Sequence, residues 1–204
     1  FVSGEGSNFK AIYEKIISRE IPAVISIVIS NKPNCDAICF AKKNTLPTFI
    51  INKTRYPNLN THNMILLQNL LEANIDLICL AGYMKMIPKN IITHFENRIL
   101  NIHPAILPDF GGKGFYGIKV HEAVIHSQAV VSGATVHFVD DKYDHGPIVA
   151  YEKVTIKGDD TAISLSKKVL TIEHRIYPKV VKAFCEDRIV WENNQPKIEV
   201  AIEN

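Results

Sequence analysis

The hydrophobic pattern of the chain alternates between two periods. Short apolar runs rich in β-branched residues, such as AVISIVIS at 23–30, are typical of strands buried in a sheet. Between them lie segments in which apolar residues recur every three or four positions, as on one face of a helix. This alternation predicts an α/β fold, an open and mostly parallel sheet flanked by helices. The predicted strands are a segment ending near residue 3 and residues 23–30, 48–51, 75–81, 99–103, 134–139 and 148–154, and the predicted helices are 8–19, 61–73, 89–94, 118–127 and 161–184.

Local signals add detail to this outline. Thr61 is the predicted N-cap of the second helix, because its hydroxyl can accept a free backbone N–H. Pro178 falls inside the last helical segment, where its missing N–H predicts a kink or a break. Residues 188–192 and 197–200 predict a terminal hairpin. No repeat or linker interrupts the chain, so we expect residues 1–204 to form a single domain.

The composition is that of an ordinary globular protein. Of the 204 residues, 47% are hydrophobic and 22% are charged, and the formal net charge is +2. So small a charge argues against the basic surface of proteins that bind nucleic acids or anionic membranes. No run of about 18 apolar residues occurs, so no membrane span is predicted. The expected partners are therefore small molecules, and the chain is expected to be a monomer or a homodimer.

The start of the chain bears on its location. Phe1 and Val2 resemble the interior of a strand, so we expect further residues upstream, either a few or a longer targeting leader. The four cysteines are few, which suits a reducing compartment. The expected location is the cytoplasm, or a plastid if a transit peptide was removed.

No metal site is predicted. Cys35 and Cys39 lack the second pair, or the nearby histidine, that would complete a zinc site. None of the histidines has the H-E-x-x-H spacing of a catalytic zinc site.

A glycine-containing loop lies between the first strand and the first helix. Its residues, Ser3 to Asn8, read SGEGSN. Glycines allow a tight turn and close approach of a ligand, and free amides at a helix N-terminus bind anions such as phosphate. The alternative is a simple turn capped by Ser7 or Asn8. The third glycine of the dinucleotide fingerprint is absent, which argues against a nicotinamide dehydrogenase.

Asn101 and His103 lie at the end of a predicted central strand. Ligands of open α/β sheets bind at the carboxyl ends of strands, and residues two apart face the same side. An amide and an imidazole are suited to stabilise an oxyanion and to transfer a proton. The alternative is a structural histidine that is simply hydrogen-bonded.

An acidic loop, residues 139–147, joins two predicted strands. A carboxylate in this loop could orient an imidazole and raise its pKa. The residues alone do not choose among Asp140, Asp141 and Asp144, and a solvated turn is the alternative.

Several stretches together resemble one family, the phosphoribosylglycinamide formyltransferases, which are folate enzymes of purine synthesis. Their combination, in this order across nearly the whole chain, is specific, although each piece alone is not. The loop GGKGFYGIKVHEAV at 111–124 is similar to the longer loop of plant and some bacterial members. The matching stretches are SGEGSNF at 3–9, LAGYMKMIP at 80–88, NIHPAILP at 101–108, SGATVHFVDDKYDHGPIVA at 132–150 and EHRIYP at 173–178.

The resemblance implies a Rossmann-like formyltransferase fold. It also implies an N-terminal half that binds the phosphorylated substrate and a C-terminal half that binds folate and carries the catalytic loop. The co-substrate would be 10-formyltetrahydrofolate, the acceptor glycinamide ribonucleotide, and no metal would take part. The implied catalytic residues are Asn101, His103 and Asp144; those for substrate are Gly4, Glu5, Gly6, Ser7, Asn8 and Glu173; and those for folate are Met84, Lys85, Met86, Ile87, Asn101, Val139, Asp140 and Asp141.

The expected mechanism is direct attack of the substrate amine on the formyl carbon. Asn101 and a charged His103 would donate hydrogen bonds to the oxyanion, and Asp144 would keep His103 charged. The alternatives are a methionyl-tRNA formyltransferase, a formyltetrahydrofolate hydrolase, and a binding protein without activity. The two enzymes typically carry an additional domain, and the intact set of three residues argues against the third alternative.

Overall fold

The computed structural model describes residues 1–199. Its helices are α1 (Ser7–Ile17), α2 (Asp36–Lys43), α3 (Leu59–Glu72), α4 (Lys89–His94), α5 (Ile118–His126) and α6 (Ala162–Cys185). Its strands are β1 (Val28–Ser30), β2 (Thr48–Ile50), β3 (Ile78–Leu80), β4 (Ile99–His103), β5 (Val131–Phe138), β6 (Ile148–Thr155), β7 (Ile189–Glu192) and β8 (Gln195–Ile198).

The central sheet is mixed, with a parallel half and an antiparallel half. β1 and β2 are parallel, as are β3 and β4, whereas β5 pairs antiparallel with both β4 and β6. The chain start joins the two parallel pairs, because the Val2 amide donates to the Ile29 carbonyl and the Phe1 carbonyl accepts from the Ala81 amide, each at 2.9 Å. The predicted α/β class is confirmed, and the parallel strands place their carboxyl ends along one edge.

Helices cover both faces of this sheet. One apolar cluster joins α1, α2, α5 and α6 to residues of β4 and β5, with fully buried Tyr177 among its largest side chains. A second cluster joins α3 and α4 to the opposite face through residues such as Ile78 and Ile99. Along β4, Leu100 and Ile102 belong to the first cluster and Ile99 to the second, so successive side chains point to opposite faces. Among the residues described, no helix has the length and apolar character needed to cross a membrane.

Several element boundaries differ from those predicted. β1 has three residues instead of the eight of the predicted run 23–30. The short helix α2 was not predicted, and α3 is capped by Asn58, whose side chain accepts the Thr61 amide, so the prediction of Thr61 as the cap is wrong. α6 continues through Pro178, which is buried, so the predicted break is absent.

The terminal hairpin forms from β7 and β8. Asn193 and Asn194 form its turn with φ of 50° and 61°, the left-handed conformation that a two-residue type I′ turn requires. Val200, at the end of the predicted second strand, lies outside the described residues.

Candidate active site

The predicted amide and imidazole lie side by side at the end of β4. Asn101 and His103 are two residues apart on this strand and therefore face the same side. Their direct partners across the antiparallel ladder are His137 and Thr135 of β5. Directly opposed residues of such a pair have side chains on the same face, so four polar side chains cluster here.

The loop after β5 brings Asp144 to this cluster. Its Oδ2 accepts the Gly112 amide at 2.9 Å and lies 3.5 Å from His103 Nδ1. Its Oδ1 accepts the Asn101 amide at 3.3 Å. The residues alone left three aspartates open, and Asp144 is the one whose carboxylate contacts both strand-end side chains.

The approach of the two loops depends on Gly111. A Cβ atom at this position would lie 2.5 Å from Leu107 Cδ2 and 3.2 Å from Asp144 Cβ. Any larger residue would therefore push apart the loop after β4 and the loop that carries Asp144. The glycine thus permits the contact between Gly112 and the carboxylate.

The resting charge of His103 differs from the expected one. His103 is buried, and its Nε2 lies 2.9 Å from the Phe110 carbonyl, to which it donates. Burial lowers the pKa of His103, and Asp144 and the Phe110 carbonyl oppose this effect without cancelling it. This shift favours the neutral form of the ring, in which Nδ1 faces the Asp144 carboxylate. A proton taken up on Nδ1 would complete an ion pair with Asp144.

Asp144 itself is ionised. Burial acts to raise its pKa, but the polar groups around it, among them the Gly112 amide that donates to Oδ2, hold the pKa of this carboxyl below its usual value. An ionised carboxylate beside a neutral imidazole can accept and stabilise positive charge that forms on the ring during a reaction.

Two members of the cluster were missed by the sequence reasoning. Neither His137 nor Thr135 was singled out from the sequence as a site residue. Thr135 Oγ1 donates to the Ala105 carbonyl at 2.7 Å and accepts the Leu107 amide at 3.1 Å. The two-residue alternation within β5 could have indicated that they share a face, but only the register between β4 and β5 places them opposite Asn101 and His103.

The predicted phosphate loop forms an open helix N-terminus. Gly6 precedes α1 with a φ of 71°, and no side chain caps the first turn. The amides at the start of α1 point out of the helix end, where an anion can accept them. Gly4 and Glu5 are exposed and Ser7 is half-buried, so the loop is accessible. A Cβ at Gly6 would lie 2.5 Å from Ala37 Cβ, so only glycine fits.

A buried polar pair lies behind this loop. Asn8 Nδ2 donates to Glu173 Oε2 at 2.5 Å, which joins α1 to α6. Burial raises the pKa of Glu173 to about 7, and the hydrogen bond from Asn8 opposes that rise. Asn8 Oδ1 is buried without a hydrogen-bond partner, which leaves an acceptor free for a donor such as a ligand hydroxyl.

The residues predicted to contact folate are less uniform. Met84, Lys85 and Met86 are exposed after β3, as a ligand-contacting loop requires. Ile87 is only 4% exposed and belongs to the core beside α4, so its side chain anchors the loop to the core. Val139 and Asp140 are half-buried and Asp141 is exposed, and Asp140 pairs with His145 across 2.6 Å.

These loops meet along one edge of the sheet. Ser3 Oγ accepts the Met84 amide at 3.0 Å, which ties the phosphate loop to the loop after β3. Tyr177, one turn after Glu173 on α6, donates its hydroxyl to the Leu100 carbonyl at 2.9 Å, next to Asn101. A large apolar cavity of about 920 Å³ lies instead by the amino ends of β1 and β3 and contains none of the predicted site residues. Within residues 1–199, no three His, Cys, Asp or Glu side chains are grouped so that they could hold a metal ion.

Comparison with known proteins places this arrangement among formyl-transferring enzymes. Residues 1–181 match the family described as Formyl transferase. The chain is 43% identical over 194 residues to the chloroplastic phosphoribosylglycinamide formyltransferase of Vigna unguiculata, covering 95% of this chain and 62% of that protein. It is 43% identical over 201 residues to the corresponding protein of Arabidopsis thaliana, covering 98% and 69%. The chain thus spans somewhat under two thirds of the first relative's length.

A solved structure agrees with these sequence matches. Glycinamide ribonucleotide transformylase 1 from Symbiobacterium toebii superposes with a TM-score of 0.89 at 34% identity, covering 97% of this chain and 91% of that one. The likeness therefore extends over nearly the whole chain.

Proposed function

Because this chain belongs to the formyl transferase family, among the phosphoribosylglycinamide formyltransferases, we propose that it transfers the formyl group of 10-formyltetrahydrofolate to the amine of 5-phosphoribosylglycinamide in de novo purine biosynthesis. The observation that carries the proposal is the contact of Asp144 with both Asn101 and His103, at the sheet edge that also carries an open helix N-terminus.

Residues from both halves of the chain contribute to the part of the site that binds each ligand. The amides at the start of α1 hold the substrate phosphate, and Asn8 with Glu173 meets the sugar hydroxyls. The exposed residues Met84 to Met86 and the loop 139–144 hold the folate. The chain folds as one domain, with both ligands bound along the same edge.

The chemistry needs no covalent enzyme intermediate. The substrate amine attacks the formyl carbon, and the formyl oxygen becomes an oxyanion in a tetrahedral intermediate. Asn101 donates a hydrogen bond to that oxygen; losing one such donor typically costs about 10²–10³ in rate. The bond between the formyl carbon and the folate nitrogen then breaks, which gives the formylated amine and tetrahydrofolate.

Proton transfer is the task of His103 and Asp144. The neutral ring accepts the proton that the attacking nitrogen loses, and the ionised Asp144 stabilises the resulting imidazolium. The same proton then passes to the departing folate nitrogen. This order revises the expected mechanism, in which His103 was charged from the start.

An assay with competing acceptors tests the proposal. Purified protein is mixed with 10-formyltetrahydrofolate, and tetrahydrofolate release is followed by absorbance with water alone, with methionyl-tRNA and with glycinamide ribonucleotide. We expect release only with the ribonucleotide. Release with water alone indicates a hydrolase, and release with methionyl-tRNA indicates the other transferase; either result overturns the proposal.

The role of Asp144 is tested in the same assay. Asp144→Asn keeps the size of the side chain but removes its charge, so we expect kcat/KM to fall at least tenfold, or about 1.4 kcal/mol. Asp159→Asn, an exposed aspartate outside the site, is the matched control and keeps wild-type kinetics. A fall of less than tenfold in the kcat/KM of Asp144→Asn contradicts the proposed role.

The compartment follows from the plant relatives. Both are named chloroplastic, and we therefore favour the plastid over the cytoplasm. Immunolocalisation in the source cells checks this, and a signal confined to the cytosol contradicts it.

A further inference from the structure

One buried histidine of the site has no part in the mechanism above. His137 is only 1% exposed and lies directly across the ladder from Asn101. The pairing of β5 with β6 shifts between Val136 and His137, so the ladder between these strands is irregular next to this side chain. Irregular pairing of this kind commonly re-aims a side chain next to an active site.

The backbone fixes which ring nitrogen of His137 carries the hydrogen. Nδ1 lies 2.7 Å from the Phe138 carbonyl oxygen, which can only accept a hydrogen bond. Nδ1 must therefore be protonated, and in the neutral ring Nε2 is left as an acceptor. Nε2 lies 3.0 Å from the side-chain nitrogen of Asn101.

This tautomer in turn fixes the orientation of the Asn101 amide. If the amide were turned over, its oxygen would face the lone pair of Nε2, and both acceptors would be buried without a donor. One N–H of Asn101 is therefore held by His137. The other points to Asp144 Oδ1 at 3.3 Å, a longer and weaker contact.

The longer contact is the one that a ligand can replace. Asp144 keeps its other oxygen bonded to the Gly112 amide at 2.9 Å when Asn101 leaves Oδ1. The contact to His137 is shorter and more buried, and it has no competing donor among the contacts described. Of the two side-chain N–H groups of Asn101, only the one that contacts Asp144 Oδ1 is free to exchange partners.

We propose that His137 is a positioning residue that fixes the amide orientation of Asn101, so that one N–H stays on His137 while the other moves from Asp144 to the developing oxyanion. The inference rests on the proposed function, because it assigns the oxyanion as the incoming partner. It adds a residue whose role is to present a donor, without contact with the substrate.

Two substitutions separate positioning from simple filling of the core. His137→Phe keeps the ring but removes the acceptor, and His137→Gln offers an amide oxygen close to the position of Nε2. We expect His137→Phe to lower kcat about tenfold to a hundredfold, below the full loss of a donor, with both KM values within about twofold of wild type. We expect His137→Gln to recover at least half of the loss in log kcat. Equal losses in the two variants, or a wild-type kcat in His137→Phe, overturn the inference.

A measurement on the wild-type protein does not depend on activity or on variant folding. In uniformly ¹⁵N-labelled protein, NMR reports which nitrogen of His137 is protonated. We expect hydrogen on Nδ1 and none on Nε2, with a scalar coupling from Nε2 to the Asn101 amide nitrogen. A hydrogen on Nε2 overturns the inference even in an active enzyme. If His137 has the expected tautomer but the protein does not formylate glycinamide ribonucleotide, the proposed function is overturned. The orientation of the Asn101 amide would still stand.

Discussion

At the scale of single residues, Thr135 holds the loop that surrounds His103. It is fully buried, and its hydroxyl both donates to the Ala105 carbonyl and accepts the Leu107 amide. These bonds tie the start of the loop to β5. The same loop supplies the Phe110 carbonyl to His103 and the Gly112 amide to Asp144. One hydroxyl therefore supports the geometry of two candidate catalytic groups.

Replacement of Thr135 by Val removes that hydroxyl and keeps the shape of the side chain. We expect the free energy of unfolding to fall by about 1–3 kcal/mol, because a buried donor and a buried acceptor lose their partner. We also expect kcat/KM to fall, because the loop behind His103 loosens. Thr135→Ser retains the hydroxyl and is the matched control. Urea unfolding and steady-state kinetics measure both effects; a Val variant as stable as wild type would show that the hydroxyl does not hold the loop.

The residues themselves revealed only part of this cluster. Strand alternation was enough to pair Asn101 with His103, because residues two apart share a face. The choice of Asp144 over Asp140 came only from the resemblance to a known family. In the structure, Asp140 is paired with His145 in its own loop. His137 could not be found in this way, since its position depends on the β4–β5 register, which distant parts of the chain determine.

At the scale of elements, one buried pair fastens α1 to α6. Asn8 and Glu173 are 165 residues apart in sequence, and they join the two helices behind the open end of α1. Burial raises the pKa of Glu173 to about 7 from its usual value of 4.5. The folded protein therefore holds a proton on this carboxyl between those values, whereas the unfolded chain has released it.

This difference predicts how stability depends on pH. Where the folded state binds the extra proton, the free energy of unfolding falls as pH rises. The contribution of Glu173 is fully present below about pH 4.5 and is lost by about pH 7, a loss of about 3 kcal/mol in order of magnitude. Glu173→Gln mimics the neutral carboxyl and has no such loss. Urea unfolding at pH 5 and pH 8 should show the variant gaining relative to wild type at pH 8, and a constant difference between the two proteins would contradict the raised pKa.

Helices and strands were predictable to different degrees. α4 and β4 have the predicted bounds, because each has a clear local pattern and a defined start. α2 escaped notice because it has only eight residues, including two adjacent lysines at its end. Pro178 was expected to kink or break α6. The helix continues because its buried face packs across the sheet, and such packing outweighs one lost backbone hydrogen bond.

At the scale of the whole molecule, the sheet brings two distant parts of the chain to one edge. The alternation of strands and helices was sufficient to predict an α/β fold, and parallel strands necessarily align their carboxyl ends. The meeting of particular loops was not predictable from periodicity. It depends on tertiary contacts such as the Met84 amide on Ser3 and the Tyr177 hydroxyl on the Leu100 carbonyl.

The Tyr177 hydroxyl on the Leu100 carbonyl and the Asn8–Glu173 pair join the two halves, so we expect the chain to unfold as one cooperative unit. Each ligand should then stabilise the whole protein, by about 2.7 kcal/mol at a hundredfold excess over its Kd. Thermal unfolding is measured without ligand, with glycinamide ribonucleotide and with tetrahydrofolate. We expect a single transition that either ligand moves upward, whereas two separate transitions would show that the halves are independent domains.

A variant of the phosphate loop tests whether the two ligands bind to separate parts of the site. Gly6→Ala places a methyl group 2.5 Å from Ala37 Cβ at a φ of 71°, which distorts the start of α1. The Gly6→Ala variant is itself less stable than wild type. The quantity to compare is therefore the increase in unfolding temperature that each ligand gives to the variant. We expect the increment from glycinamide ribonucleotide to shrink and that from tetrahydrofolate to stay, because the distortion lies where the phosphate binds. Gly114→Ala, with a φ of 101° and open space around it, is the control for backbone strain alone. Equal reduction of both increments in Gly6→Ala would mean that the phosphate loop and the folate loops act as a single site.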